Sequence, residues 1–399
     1  MSQSLAACDP EAPSRVSPLR VLHVVPYFPP SQAGGGIREA VATLTRAQAR
    51  AGCRVSVWTT DVGTRRARRV PDLVPGIEVR AFRNLSNRLA WDDVTLPLGL
   101  RRAARREARD FDAVHLHGHR HLGAVLVARG RGPGAWVLSP HGTATRIERR
   151  QGWKRLADPL LFDAVLHGAA RCIAVSDVEK AQLEHLGVPA DRIRLVPNAL
   201  DPDSILPLPG RGAFRKRHGV PEVAPMVLYL GRVTPNKRVN VALRAVAGLP
   251  GVVLAVAGPD GGALEGLRRE AGTIGSAKAV FAGPLDPAGR REALADADAL
   301  VLVSEQEIFG LAPMEALLAG VIPVVSAGTG CAERIRAWDT GFVVEGGDPA
   351  AVREGLRAAL ADPAESRRRA ARGAEQATRE LSPGFVAART IGIYEEVAG

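Results

Sequence analysis

Two glutamates, Glu307 and Glu315, lie eight positions apart on either side of a predicted helix start. The apolar run 299–303 before them predicts a buried strand, and Pro313 suits the first turn of a helix that ends at Gly320. Glu307 is therefore expected on the loop leaving the strand, and Glu315 inside the helix. Helix N–H groups favour an anion and carboxylates accept hydrogen bonds from hydroxyls, so the pattern predicts a socket for a sugar nucleotide.

A second loop supplies positive charge. Gly231, Arg232 and Lys237 directly follow a strand predicted at 227–230. Glycine permits close approach of the backbone, and two cations on one loop can stabilise a diphosphate leaving group. The alternative is an exposed basic turn.

Two shorter motifs in the first half of the chain could approach the same ligand. Gly35 and Gly36 open a helix predicted from Ile37, where free N–H groups favour an anion, although three neighbouring glycines could equally form a hinge. His141 follows a strand predicted at 135–138, at the end of the sheet where α/β proteins bind ligands. It could hydrogen-bond a sugar or a departing phosphate, or it could be only a turn residue.

Together these motifs resemble those of the retaining glycosyltransferases of family 4, which have the GT-B fold. The resemblance extends over residues 20–397 and includes the E-x7-E pattern and a G-R-x4-K element. It implies that Glu307 binds hydroxyls of a donor hexose, that Glu315 binds the ribose, and that His141 lies close to the donor sugar. Arg238 departs from the family pattern, which has a small residue there.

The resemblance assigns two sets of residues. The implied catalytic residues are Glu307, His141, Arg232 and Lys237. The implied donor-binding residues are Gly35, Gly36, Gly231, Phe309, Gly310, Leu311 and Glu315, with the backbone at Phe309–Leu311 meeting the diphosphate. No metal and no cofactor beyond the nucleotide-diphosphate sugar itself is expected.

The predicted fold class is α/β, with two Rossmann-like, doubly wound domains that face each other across a cleft. We expect a disordered tail at 1–19, an acceptor domain at 20–200, a proline-rich linker at 201–222 and a sugar-nucleotide domain at 223–384. The helix within 385–399 is expected to return to the first domain, as the resemblance implies.

Alternating apolar and amphipathic stretches predict the strands. In the first half they are Arg20–Val25, Arg54–Thr59, Ile77–Phe82, Ala113–Leu116, Ala135–Leu138, Cys172–Val175 and Ile193–Val196. In the second half they are Val227–Leu230, Val252–Ala257, Ala279–Phe281, Leu300–Val303, Ile322–Val325 and Gly341–Val344. Helices named in the first half are Ile37–Ala51, Leu100–Arg109, Leu156–Ala169 and Val178–Leu186.

Charge is distributed unevenly along the chain. The net formal charge is +11, and residues 1–198 hold about 30 Lys and Arg against about 18 Asp and Glu, whereas the remainder is nearly neutral. A basic first half could attract an anionic membrane surface, a phosphate-bearing acceptor or nucleic acid. With 4% aromatic residues and no recognisable nucleic-acid-binding motif, the sequence argues against nucleic acid.

The sequence has no long apolar run and no secretory leader pattern, and its four cysteines are scattered. We therefore expect a cytoplasmic protein, with the inner face of the membrane as a candidate location. His115, His117, His119 and His121 alternate and could bind zinc from one face of a strand. Gly118 is expected to end that strand and break the alignment, so we expect no metal site there.

The sequence thus predicts a retaining glycosyltransferase that moves a hexose-type sugar to a glycan or lipid-linked acceptor in cell-surface polysaccharide or glycolipid synthesis. Two alternatives stay open. One is another GT-B enzyme, such as a nucleotide-sugar epimerase. The other is a non-catalytic protein that binds sugar nucleotides.

Overall fold

The structure is a computed structural model that describes residues 17–31, 35–63, 69–70, 76–86, 95–131, 136–144, 161–274 and 279–398. Most of the predicted tail lies outside these residues, as do the start of the strand predicted at 135–138 and of the helix predicted at 156–169. Leu19, at the end of the predicted tail, is buried, and its carbonyl accepts a hydrogen bond from the Arg54 N–H at 2.9 Å.

The first domain is built on an eight-stranded sheet in the order β3-β4-β2-β1-β5-β6-β7-β8. Its strands are β1 Arg20–Val24, β2 Arg54–Thr60, β3 Arg69–Val70, β4 Ile77–Phe82, β5 Ala113–His117, β6 Val137–Ser139, β7 Arg171–Ala174 and β8 Ile193–Leu195. Its helices are α1 Gly35–Arg50, α2 Leu100–Glu107, α3 Leu122–Arg131, α4 Asp163–His167 and α5 Asp177–His185. All neighbouring strands are parallel except the short edge strand β3, which the sequence analysis did not predict.

The second domain has a six-stranded parallel sheet in the order β11-β10-β9-β12-β13-β14. Its strands are β9 Met226–Leu230, β10 Val253–Ala257, β11 Ala279–Gly283, β12 Ala299–Leu302, β13 Ile322–Ser326 and β14 Phe342–Val344. Its helices are α6 Ala213–His218, α7 Val239–Ala247, α8 Leu264–Ile274, α9 Pro287–Asp296, α10 Leu311–Leu318, α11 Ala332–Trp338, α12 Pro349–Ala361 and α13 Pro363–Glu380. The two-domain Rossmann-like prediction is confirmed.

The central strands are buried along their whole length because helices cover both faces of each parallel sheet. Every residue of β5, β10, β12 and β13 is buried. The carboxyl ends of these strands carry the loops that the sequence analysis singled out, which is where an open α/β sheet binds ligands.

The last helix, α14 Pro383–Ala398, packs against the first domain. Tyr394 on α14 is fully buried in a core cluster that also contains residues of α1. Glu396 pairs with Arg171 of β7 at 3.0 Å and with Arg194 of the edge strand β8 at 2.9 Å. The end of the chain therefore closes over the first domain.

The segment predicted as a linker, 201–222, is packed and partly helical. Ile205 and Phe214 are fully buried in the core of the second domain. Arg215, also buried, binds Asp298 at 3.0 Å. The prolines set the turns of this segment, but its apolar side chains attach it to the second domain.

Within the described residues, no helix combines the length and apolar character needed to cross a bilayer.

Candidate active site

The segment predicted as a sugar-nucleotide socket lies where β12 ends and α10 begins. Gly310 caps α10 with φ 86°, a left-handed conformation that favours glycine, and its position lets the loop pack tightly. A Cβ atom here would lie 2.9 Å from both Sγ of Cys331 and Cγ2 of Thr329. The N–H groups of the first turn, which have no partner inside the helix, lie between the loop residue Glu307 and the helical residue Glu315.

Gly310→Ala is expected to destabilise the protein by about 3 kcal/mol, because it adds steric overlap to the strain of a positive φ. Gly320→Ala is the matched control, since Gly320 has φ 72° but no atom within 4 Å of a Cβ built there. Strain alone predicts a cost of about 1 kcal/mol for that control. Urea denaturation measures both, and equal costs would show that close packing at Gly310 is unimportant.

Each carboxylate of the pair contacts a cation. Lys237 forms an ion pair with Glu307, and both side chains are about one fifth exposed (20% and 23%). Glu315 is nearly buried and forms an ion pair with Arg290 of α9. The sequence analysis did not identify Arg290, because nothing in the sequence relates α9 to α10. Each carboxylate therefore has a cationic partner beside the start of α10.

The basic loop lies beside the same socket. Gly231 follows β9, and its peptide packs closely against Gly258. A Cβ built on Gly258 would lie 1.8 Å from the carbonyl oxygen of Gly231. The carbonyl of Asn236 accepts a hydrogen bond from the Glu305 N–H at 2.8 Å, which ties the two loops together. Arg232 is exposed, and within the described part of the chain no ion pair involves it. It is available to an anion.

The first domain meets this site at Ile308, the neighbour of Glu307. The turn His141–Gly142 packs on Ile308 so tightly that a Cβ on Gly142 would lie 2.6 Å from Cγ1 of Ile308. The Ser176 hydroxyl donates a hydrogen bond to the Ile308 carbonyl at 2.5 Å. Gly36 also faces the second domain, with 3.7 Å between a Cβ built on it and Cδ1 of Leu311. Motifs from both domains therefore come together.

Glu179, which the sequence analysis missed, holds the His141 turn in place. Its carboxylate is fully buried and accepts hydrogen bonds from the N–H groups of Gly142 at 2.6 Å and Val175 at 2.9 Å. Ser176 caps α5 and accepts from the Glu179 N–H at 3.2 Å. The pattern Ser-x-x-Glu at 176–179 is the sequence signature of a capping box, so a signal was present.

Burial raises the pKa of Glu179 from 4.5 to about 7, against the opposing effect of its two N–H donors. The folded protein therefore binds this proton more tightly than the unfolded chain, so the contribution to stability is complete below pH 4.5. It is lost as the pH rises to about 7, by up to about 3 kcal/mol. Glu179→Gln should gain stability relative to the wild type over this interval. Urea titrations between pH 4.5 and 7.5 measure the difference, and a constant difference would contradict the assignment.

His141 adopts φ 51° and lies at the carboxyl end of β6, as predicted. Burial lowers its pKa to about 4, so the imidazole is neutral near pH 7. In the alternating histidine run, β5 ends at His117, as expected from Gly118. His115 and His117 nevertheless stay together inside the core, with ring centroids 3.9 Å apart.

The predicted site residues thus lie on two domains that contact each other at Ile308 and Leu311. The second domain supplies Gly231, Arg232, Lys237, Glu307, Phe309, Gly310, Leu311 and Glu315, and the first supplies Gly35, Gly36 and His141. Phe309 itself is buried under Arg334, whose guanidinium lies 5.9 Å from the ring centroid, so only its backbone can face a ligand. Two carboxylates, the cations Arg232, Lys237 and Arg290, and a helix start suit a ligand that carries both hydroxyls and phosphates.

Comparison with known proteins agrees with this geometry. The family described as Glycosyltransferase Family 4 matches residues 34–204, and the family described as Glycosyl transferases group 1 matches residues 210–377. The chain is 31% identical over 409 residues to a D-inositol 3-phosphate glycosyltransferase of Xylanimonas cellulosilytica, and the alignment covers 96% of each protein.

Solved structures with the same fold include sucrose-phosphate synthase from Thermosynechococcus elongatus, with a TM-score of 0.78 and 21% identity over 95% of this chain and 99% of that one. They also include Anabaena HepE in complex with UDP and glucose, with a TM-score of 0.74 and 17% identity over 95% of this chain and all of that one. The chain therefore belongs to the group 1 glycosyltransferases of family 4 and is a glycosyltransferase with the GT-B fold.

Proposed function

We propose that this glycosyltransferase moves a hexose-type sugar from a nucleotide-diphosphate donor, with retention of the anomeric configuration and without a metal. One observation carries the proposal: Glu307 and Glu315 flank the start of α10, and Lys237 contacts the first of them. Carboxylates that accept from sugar and ribose hydroxyls, with N–H groups between them for phosphate, match the parts of a sugar nucleotide.

In this mechanism the diphosphate leaves toward the start of α10 and the basic loop. Arg232, Lys237 and the helix N–H groups neutralise the charge that develops on its oxygens, which is the largest requirement of glycosyl transfer. Glu307 and His141 hold the sugar by its hydroxyls, and the acceptor attacks from the face that the diphosphate leaves. Closure of the domains at Ile308 excludes water and so limits hydrolysis of the donor.

The acceptor we propose carries a phosphate group, as a free small molecule or as the head of a lipid-linked glycan. The excess of basic residues lies in the first domain, which faces the sugar-nucleotide socket. The relative from Xylanimonas cellulosilytica is named for an inositol phosphate acceptor, which fits this charge. A cell-surface glycolipid or polysaccharide precursor would present similar chemistry.

A panel of UDP-, GDP- and ADP-sugars tests the donor by thermal shift, with and without EDTA. A ligand that binds only the native state must raise its melting temperature. We expect one nucleotide series to give a clear shift that EDTA does not change. A shift abolished by EDTA would contradict the metal-independent site, and no shift with any donor would contradict the proposed sugar-nucleotide site.

We also propose that the exposed face of α2 approaches an anionic membrane. Arg101, Arg102, Arg105 and Arg106 are all exposed on this helix, and Leu98 just before it is 46% exposed. The double variant R101Q/R105Q should lower binding to vesicles containing phosphatidylserine at low salt by about 30-fold, because each of the two basic residues contributes about 1 kcal/mol. R367Q/R368Q, on α13 of the second domain, is the matched control, and equal effects would rule out α2 as the contact.

A further inference from the structure

A chain of hydrogen bonds runs through the core of the first domain and ends at His141. It begins at Gln48 on α1, whose Oε1 lies 2.8 Å from Nε2 of His23 on β1. Nδ1 of His23 lies 2.8 Å from Nε2 of His117 at the end of β5. Nδ1 of His117 lies 3.1 Å from Nε2 of His141. Gln48, His23 and His117 are at most 1% exposed, so water does not compete for these bonds.

Each imidazole in this chain is neutral near pH 7. Burial lowers the pKa of His23 and of His141 to about 4, and it holds the pKa of His117 well below its usual range. A neutral imidazole has one N–H donor and one acceptor nitrogen, so a bond at one nitrogen determines what the other can do. The donor-to-acceptor direction of every hydrogen bond in this series therefore depends on the group at its start, Gln48.

Gln48 gives that direction. Its amide NH2 donates to the Tyr394 hydroxyl at 3.1 Å, so its amide oxygen faces His23. Nε2 of His23 must then donate, and Nδ1 of His23 accepts from Nε2–H of His117. Nδ1 of His117 in turn accepts from Nε2–H of His141. His141 is left with an unprotonated Nδ1, and no residue in the described part of the chain hydrogen-bonds that atom.

We propose that Gln48, His23 and His117 are positioning residues that set the tautomer of His141, so that its Nδ1 accepts a hydrogen bond from a hydroxyl of the donor sugar. This inference rests on the proposed function, which places the donor sugar at Glu307. Gly142, the neighbour of His141, packs against Ile308, the neighbour of Glu307. Two acceptors, Nδ1 of His141 and the carboxylate of Glu307, would then bind the sugar by accepting hydrogen bonds from its hydroxyls. A His141 with the opposite tautomer would present a donor instead.

A metal is the other use that these histidines suggest. Ring nitrogens of His23, His115 and His117 lie within 4.8 Å of one another. However, all six of their ring nitrogens already have hydrogen-bond partners: His115 bonds the Tyr394 and Ser139 hydroxyls, each at 2.7 Å. A metal would need three unprotonated nitrogens and would break the hydrogen bonds between these histidines. The observed hydrogen bonds therefore favour a hydrogen-bonded series of imidazoles over a metal site.

Nitrogen-15 NMR of the imidazole rings tests the inference without a substrate. In wild-type protein labelled with ¹⁵N-histidine, with His141→Ala used for assignment, we expect His141 as a single Nε2–H tautomer. Gln48→Leu should invert it to Nδ1–H. Leucine cannot accept a hydrogen bond from Nε2–H of His23, and a buried N–H without a partner costs more free energy than a buried acceptor without one. The proton of His23 therefore moves from Nε2 to Nδ1. His117 and His141 then change tautomer in the same way, because each accepts at Nε2 from the histidine before it. Thr45→Val, a buried polar-to-apolar change one turn away on α1, should leave the tautomer unchanged.

The kinetic consequence is a fall of about tenfold in kcat/KM for the donor in Gln48→Leu, the effect of losing one hydrogen bond in the transition state. A wild-type spectrum with two tautomers would overturn the inference even if the variant failed to fold. So would an unchanged tautomer in Gln48→Leu, inversion with unchanged kcat/KM, or a wild-type spectrum altered by a chelator. Absence of transfer by wild-type protein would contradict the proposed function. The NMR spectra test the tautomer of His141 independently, because they need no substrate.

Discussion

Glu307→Gln is expected to lower kcat/KM for the sugar-nucleotide donor by about 100-fold. The carboxylate contacts Lys237 in the structure, and an anionic acceptor binds a sugar hydroxyl more strongly than a neutral amide does. The amide also leaves Lys237 without its charged partner. Initial rates of nucleoside diphosphate release measure the effect, and the melting temperature shows that the variant is folded.

Glu305→Gln is the matched control for this variant. Glu305 lies two residues away on the same loop, is 58% exposed and pairs with Arg238 at 3.2 Å. An exposed ion pair contributes less than about 1 kcal/mol, so the control should keep kcat/KM within about threefold of wild type. If Glu305→Gln and Glu307→Gln lost activity equally, loop conformation would explain the effect and the role of Glu307 would be wrong.

Lys237→Met is expected to lower kcat by between about 100- and 1,000-fold, with a smaller effect on the donor KM. A cation that stabilises a leaving diphosphate acts mainly in the transition state, where negative charge develops on the departing oxygens. Methionine keeps the apolar stem of the side chain while removing the charge. Steady-state kinetics with varied donor concentration separate kcat from KM.

Lys216→Met is the matched control, because Lys216 is exposed on α6 of the same domain and is not one of the predicted site residues. It should leave both constants unchanged. If Lys237→Met raised KM and preserved kcat, Lys237 would bind the donor equally in the ground state and the transition state. That result would assign it to recognition and exclude it from leaving-group stabilisation.

The parts of the site that the sequence predicted are those with local signals. The strand ending near 303, the glycine at 310 and the helix containing Glu315 follow one another directly, so apolar pattern and glycine position were sufficient. The basic loop after β9 was predicted for the same reason. The edge strand β3 and the packing of the segment 201–222 against the second domain were not predicted, because no comparable local pattern of apolar residues and glycines marks them.

The missed residues depend on contacts between distant parts of the chain. His23 and His117 are 94 positions apart, and Gln48 and Tyr394 are 346 apart. Sheet order brings them together, since β1 pairs with β5 and α14 packs over the same core. Spacing alone placed His115 and His117 on one strand face but could not reveal which groups would meet them there.

The most direct test of the account is to follow the anomeric configuration of the product by ¹H NMR. The wild-type protein would be incubated with the donor identified by thermal shift and with inositol 3-phosphate or a phosphorylated glycan as acceptor, beside the Glu307→Gln variant. We expect a glycoside with the anomeric configuration of the donor, released nucleoside diphosphate, and little product from the variant. An inverted glycoside would contradict retention, and an isomerised sugar formed without an acceptor would indicate an epimerase instead.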